Sequence, residues 1–495
     1  MSNSRRVSVL AVASLTIVGA TALLFSFRSS RASVVNAADT QLPLPKAQES
    51  LIQQPAVPPG TVIYEAKKGD TVPALVRKYL WDSKYMTAPE MEAAIRGANP
   101  QLKGVFLKPG DKIMVPGIED IKSEKVVAVP KDYEVRAIYL TGVMAASEKG
   151  VGIVRQWRKV GGNAVVFDIK DSDGWVNIPF DHKLVPPGHR PPIKNLAKYT
   201  KFLHSLGMHA IARIAIFRDE ALVVHHPELA VQSRKFGQAW KENGKLVWTD
   251  TSNQEVQNYN IALAKKAAES GVDEVQFDYV RFPAEGDQKD AKFKFETEHP
   301  QWKRTDAITD FLKDAYSELH PTGVLLSLDV FGVMAWQRSV DLAHTGQDIP
   351  QMAKYCDVLS PMIYPSHFFG MDGYANPGDA PEHFIAESME RFRVITKDTN
   401  VVIRPWLQAF AWKTKTYSPE YIQVQVAASV TKGGNGFLFW NARNDYSKPY
   451  VAMPEMAKDT KKKFFRGDEY DKLKKPVTPE LEKKTAEVAK TAVGG

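Results

Sequence analysis

The sequence predicts an α/β protein built on a (β/α)8 TIM barrel, preceded by a small α+β module. Three observations lead there. Between Glu134 and about Lys458, short apolar runs alternate with amphipathic helical segments, the signature of βα units. Eight such runs suit a closed barrel, whereas the runner-up, a doubly wound sheet, lacks its glycine-rich phosphate loop: Gly142 stands alone after the first run. The composition is ordinary for a globular chain, with 495 residues, 44% hydrophobic and 25% charged. That excludes wholesale disorder, collagen-like repeats and a polytopic membrane protein, and it supports a large core.

At the N-terminus, Arg5 and Arg6 precede an uncharged run from Val7 to Phe27, and Arg28 and Arg31 follow it. At about 1.5 Å per residue the run spans roughly 31 Å, enough for a bilayer core. A cleavable signal usually has a shorter apolar region, yet Val35-Asn36-Ala37 resembles a small-residue cleavage site. Residues 1–37 therefore read as a membrane anchor or a removed signal segment. Either way the body is exported: held on the inner membrane facing the periplasm or outside, or secreted. Residues 38–60, with Pro43, Pro45, Pro55, Pro58 and Pro59, read as a Pro-rich linker.

Residues 61–117 form the small module. Val62–Glu65 reads as a strand, Val72–Tyr79 and Ala88–Ala98 as helices, and Lys112–Val115 as a second strand. The barrel occupies 134–458. Its expected strands are Arg136–Thr141, Ala164–Ile169, His209–Phe217, Glu274–Asp278, Leu325–Val330, Val358–Met362, Val401–Trp406 and Gly436–Trp440. Helices are expected between them, among them Glu148–Val160, Asn195–Leu206, Glu255–Ser270, Asp306–Leu319, Pro381–Ile395 and Pro419–Thr431. A charged tail, 459–495, closes the chain. The formal net charge is +8, but from Lys458 onward eleven basic residues face seven acidic ones, so about half the surplus lies in that tail. No aromatic-interleaved basic platform accompanies it, and no nucleic-acid partner is expected.

Catalytic groups of a barrel come from the C-terminal ends of its strands. Those ends bring Asp168, Lys170, Arg213, Gln276, Asp278, Arg281, Asp329, Tyr364, His367, Trp406, Gln408, Trp440 and Asn441 to one face. Side chains alternate along a strand, so Asp278 and Asp329 stand inward on neighbouring strands if Gln276 and Ser327 do. Two carboxyls in different environments are what glycosidic cleavage needs, one donating a proton and the other attacking or activating water. Trp and Tyr supply flat faces for sugar rings, and Gln, Asn and Arg fix hydroxyls. Arg281, close in sequence to Asp278, would hold that carboxyl ionised. His225-His226 is too adjacent to chelate one metal, no HExxH spacing is present, and neither metal nor cofactor is expected. The single cysteine, Cys356, permits no intramolecular disulfide and sits at the entry of the sixth strand, away from this face.

Some of these residues carry resemblances. Gly69-Asp70-Thr71, Ala98-Asn99-Pro100 and Leu107-Lys108-Pro109-Gly110-Asp111-Lys112-Ile113 resemble a LysM module, a family that binds N-acetylglucosamine-containing glycans. The stretch between the first turn and Asn99 is longer than that family usually has. Val272 to Pro283, with Asp278 at its centre, resembles the strand-four signature of the bacterial "putative glycosyl hydrolase domain" family, distantly related to α-amylase-type barrels. Gly161–Lys170, Ser327–Gly332, Leu359–His367 and Arg404–Gln408 support it. The resemblance implies that Asp278 falls at the relatives' nucleophile and Asp329 at their acid/base, where they carry a glutamate.

The expectation is an exported glycoside hydrolase acting on an envelope or extracellular polysaccharide, with a polysaccharide or peptidoglycan-type glycan as partner and the membrane as a second one if the N-terminal segment is uncleaved. The competing expectation is a non-catalytic glycan-binding or scaffold protein with a degenerate barrel.

Overall fold

Alternate residues of the first barrel strand serve two apolar surroundings. Val135, Ala137 and Tyr139 join a cluster inside the barrel, while Ile138 and Leu140 join the larger shell beneath the helices. A parallel strand covered on both faces needs such a run. In a computed structural model, which describes residues 57–123 and 129–458, this strand is one of a closed parallel set. The apolar run Val7–Phe27, most of the linker and the tail 459–495 lie outside the described residues.

The N-terminal unit pairs β1 (Val62–Glu65) with β2 (Lys112–Val115) antiparallel, around helices Val72–Tyr79 and Ala88–Ala98. Asn99 explains why an amide stands before Pro100. Buried, it donates to the Ile95 and Met114 carbonyls at 2.7 Å each and accepts from Met114 N–H at 2.9 Å, tying helix to strand. The second helix starts on a capping box of Thr87 and Glu90. The unit is fastened to the barrel by a buried lysine: Lys198 donates to the Leu80 carbonyl and, at 2.6 Å, to that of Tyr85, and lies over the Trp81 ring.

The barrel runs β3 (Val135–Leu140), β4 (Ala164–Lys170) and β5 (His209–Ala215). After β6 (Gln232–Ser233), a two-residue strand in a loop, come β7 (Glu274–Asp278), β8 (Ala291–Lys292), β9 (Leu325–Phe331) and β10 (Val358–Ile363). β11 (Val402–Ile403), β12 (Trp406–Gln408) and β13 (Gly436–Trp440) finish it. Strands β3, β4, β5, β7, β9 and β10 follow one another, β11 and β12 share the seventh position, and β13 closes on β3. β6 and β8 pair antiparallel outside the barrel.

The expected strands and helices lie within two residues of the observed ones, except at the seventh strand. There Arg404-Pro405 splits the run into β11 and β12, because proline has no N–H for the ladder. Asn195, expected as the first residue of its helix, is its cap, accepting from Lys198 N–H.

The N-terminal end of the barrel is sealed by an ion pair. Arg404 meets Glu274 at 2.8 and 3.0 Å, both fully buried, and His209 approaches the same carboxylate at 3.0 Å. Burial pushes the Glu274 pKa up, but Arg404 and His209 outweigh it and hold it at about 2. A carboxylate whose folded pKa lies below its unfolded value stabilises the fold above about pH 4.5, and that contribution is lost as pH falls through about 2. Arg404→Leu would leave Glu274 buried without its cation. The expected cost is about 3–5 kcal/mol, read as a lower thermal midpoint at pH 7, with part of the deficit recovered in Glu274→Gln/Arg404→Leu.

Candidate active site

The opposite end of the barrel is organised by one guanidinium. Arg213, at the end of β5 and 2% exposed, reaches carboxyls on three other segments. Its Nη1 meets Asp168 at 2.5 Å and Asp171 at 3.3 Å, its Nη2 meets Asp278 at 2.6 Å, and its Nε lies 3.7 Å from Asp329. Burial would lower the Arg213 pKa, but these carboxylates raise it well above the usual arginine value. Tyr139 and Trp440 stack at 4.1 Å, and the guanidinium carbon lies 5.7 and 5.4 Å from their rings.

Asp278 and Asp329 are held differently. The β7–β9 register pairs Gln276 with Ser327 and Phe277 with Leu328, so the two aspartates come next on adjacent strands. Asp278 accepts from Arg213 and, at 2.6 Å, from Tyr279 N–H. Asp329 is 1% exposed and accepts from Trp406 Nε1 at 2.6 Å, while its second oxygen has no hydrogen-bond donor. Burial, then the neighbouring Asp278 charge, push its pKa well above the usual carboxylate value. Both border a cavity of about 160 Å³ walled by Tyr279, Phe331, Met362, Tyr364, Trp406 and Trp440, with Arg213 and Arg281 as its cations.

Of the residues singled out in the sequence, Arg213, Asp278, Arg281, Asp329, Tyr364, Trp406 and Trp440 meet at this cavity. Asp168 lies behind Arg213, fully buried and hydrogen-bonded by the Tyr139 hydroxyl. Gln276 sits one layer deeper, donating to Ser360 Oγ at 3.3 Å. His367 is at the exposed rim, with its ring 4.8 Å from Trp412.

Four readings change. The cation on Asp278 is Arg213 and not Arg281, because the strand order puts β5 beside β7 while the Arg281 side chain turns among aromatic rings. Lys170 is spent on Asp219 at 2.6 Å, both fully buried, after a register shift in β4 that carries it away from the cavity. Gln408 donates to the Phe410 and Trp412 carbonyls and accepts from Ser366 N–H, so it shapes two loops. Asn441 donates to the Ala409 and Asp445 carbonyls and accepts from Arg443 N–H. Buried amides must satisfy backbone groups first.

Sequence reasoning did not single out Tyr139, Tyr279, Phe331 or Met362 as site residues. Tyr139 was findable, since it shares the inward parity of Val135 and Ala137 at the end of its strand. Tyr279 has φ 55°, a left-handed conformation costly for a bulky residue, and nothing in the sequence signals it.

Residues 137–446, well over half the chain, match a family model described as "Putative glycosyl hydrolase domain". Among solved structures, a hypothetical protein from Ruminiclostridium thermocellum ATCC 27405 is 34% identical, over 39% of this chain and 97% of that one, with a TM-score of 0.33. The glycoside hydrolase domain of PgaB (BpsB) from Bordetella bronchiseptica is 13% identical, over 65% and 98%, with a TM-score of 0.51, a likeness of fold. No curated protein matches the chain.

Asp168 supplies a spectroscopic test. Burial raises its pKa to about 7 against the lowering effect of Arg213. Because the folded value lies above the unfolded one, its contribution to stability is present below about pH 4 and is lost as pH rises through about 7. Infrared spectra should show a protonated carboxyl band that titrates near pH 7 and is missing from Asp168→Asn.

Proposed function

The chain belongs to the "Putative glycosyl hydrolase domain" family, and from that premise we propose that it cleaves glycosidic bonds with Asp278 as nucleophile and Asp329 as acid/base. The observation that carries this reading is the opposed setting of two neighbouring carboxyls on one aromatic cavity. Asp278 takes a bond from the Arg213 guanidinium, which fixes the position of the attacking carboxyl. Asp329 is buried beside that charge, which favours the protonated form an acid needs.

In the first step Asp329 gives its proton to the glycosidic oxygen while an Asp278 oxygen bonds the anomeric carbon, and the leaving sugar departs as an alcohol. In the second, Asp329 takes a proton from water, the water oxygen bonds the anomeric carbon, and Asp278 is released as carboxylate. Neighbouring strands stand about 4.8 Å apart, in keeping with the roughly 5–5.5 Å carboxyl spacing of retaining enzymes. Trp406 has a double duty: its indole N–H orients Asp329 and its ring walls the cavity.

The proposed setting is the cell envelope or its surroundings. The apolar run Val7–Phe27 would export the chain, and the N-terminal unit, if it works as the LysM module it resembles, would hold the barrel on an envelope or extracellular polysaccharide. Lys198 ties that unit to the barrel.

A second reading, a glycan-binding protein without turnover, draws on the burial of Asp329, whose uncommitted oxygen is enclosed by protein. Release of new reducing ends from envelope glycans and exopolysaccharides separates the two. Asp278→Asn is expected to abolish release. Asp329→Asn is expected to lose about 10²–10⁴-fold, least on aryl glycosides whose leaving group needs no proton. Because the Asp329 pKa is raised, activity should fall as rising pH ionises it. Glycan binding by both parent and Asp278→Asn with no release by either would establish the second reading, and NMR of an inverted first-formed anomer would overturn retention.

A further inference from the structure

Arg281 is the cavity's uncompensated cation. The charges of Arg213 are met by Asp168 and Asp278, at 2.5 and 2.6 Å. Arg281 makes one hydrogen bond, from Nη1 to the Phe282 carbonyl at 3.1 Å, and no carboxylate of the described residues lies within ion-pair distance, 4.0 Å, of it. A guanidinium carries five N–H donors in a planar fork, so most of its donors are unspent, and it borders the cavity alongside Asp278 and Asp329.

Its position is built rather than accidental. The guanidinium carbon lies 4.4 Å from the Phe331 ring centre, 4.8 Å from Trp248 and 5.3 Å from Tyr279. Three rings grip the cation and leave its hydrogen-bonding edge for something else. A second arginine, Arg218, lies 5.7 Å from the same Tyr279 ring and also has no carboxylate partner among the described residues. Two guanidiniums around one tyrosine repel each other, and burial with that repulsion lowers the Arg281 pKa. Tyr279 itself keeps a left-handed backbone at φ 55° to stand between them. A half-buried guanidinium with no ion pair keeps donors that a ligand can take up.

We propose that the sugar bound in this cavity carries a carboxylate seated on the Arg281 guanidinium, so that the substrate is an acidic glycan. This rests on the hydrolase reading of the same site and adds its substrate class. A planar fork matches a carboxylate with two parallel hydrogen bonds, which an ammonium group does not do. The carboxylate belongs either to the ring itself, as in a uronic acid, or to an ether substituent, as in a lactyl-bearing amino sugar. Both present the same group to Arg281.

The test uses the full chain, detergent-solubilised, with Asp278→Asn to stop turnover, and calorimetric titration with matched oligosaccharides. One pair is oligouronate and its carboxyl-reduced form; the other is a lactyl-bearing amino-sugar strand and its carboxyl-reduced form. At least tenfold tighter binding of the acidic member in one pair is expected, and which pair shows it names the source. Adding Arg281→Gln should bring the two affinities together, while Arg281→Lys keeps part of the preference. Equal affinities within both pairs, or no binding of either acidic member, overturns the inference even if Arg281→Gln fails to fold. Reducing-end release by the chain with an intact site from neutral polymers, without acid preference, overturns it and leaves the hydrolase reading standing. Acid-selective binding without release from any polymer supports it and removes the hydrolase reading.

Discussion

Everything at the open end of the barrel depends on Arg213. Three strands deliver aspartates to one place, and in a poorly solvated interior those charges would force one another toward the protonated form. One guanidinium, enclosed and engaged on both terminal nitrogens, holds Asp168 and Asp278 directly and approaches Asp329. Arginine suits this because its fork is planar and keeps its charge when buried. Tyr139 and Trp440, stacked on each other beside it, limit where the fork can lie. Once that orientation is set, Asp278 has one place to be, and Asp329, fully enclosed and only 3.7 Å from the Arg213 Nε, has its pKa raised by burial and by the neighbouring Asp278.

The two ends of the barrel handle buried charge in different ways. At the N-terminal end Arg404 and Glu274 neutralise each other, one guanidinium nitrogen meeting both carboxylate oxygens, with His209 beside them. Both side chains are fully buried, out of reach of a ligand, and the pair acts as a plug. A layer above, Gln276 and Ser360 make a single polar contact. At the cavity the balance is incomplete, with Arg281 unneutralised among aromatic rings. Polarity inside the barrel thus goes from sealed to open along its axis, and the unspent donors lie where a ligand can reach them.

Polar side chains behind the cavity serve the loops that surround it. Lys170 holds Asp219, which also caps the helix Glu220–His225. Gln408 and Gln425 exchange bonds with each other's surroundings and fix the turn that carries Phe410 and Trp412. Asn441 steadies the loop after β13, next to Trp440. Each buried amide or ammonium replaces hydrogen bonds that irregular backbone would otherwise make with water. Phe331, Met362, Trp406 and Trp440 wall the cavity from strand ends, and the loops beyond them keep their shape for that reason.

The eight strand positions, most helix ends and the aspartates at the mouth of the barrel were legible in the chain, because apolar alternation, caps and prolines are local properties that need no partner. Even Arg404-Pro405, where β11 and β12 part, carries its explanation in one residue without an N–H. What the chain by itself could not decide was pairing. Arg213 and Asp278 are 65 residues apart and Trp406 and Asp329 are 77 apart, and each pair meets only because closure of the sheet brings their strand ends together. Proximity in sequence pointed instead to Arg281, three residues from Asp278, which the left-handed turn at Tyr279 sends into a nest of rings. Local pattern thus determined which groups reach the mouth of the barrel; tertiary structure decided which of them neutralise one another, because a buried charge takes the partner that strand order places within hydrogen-bond reach.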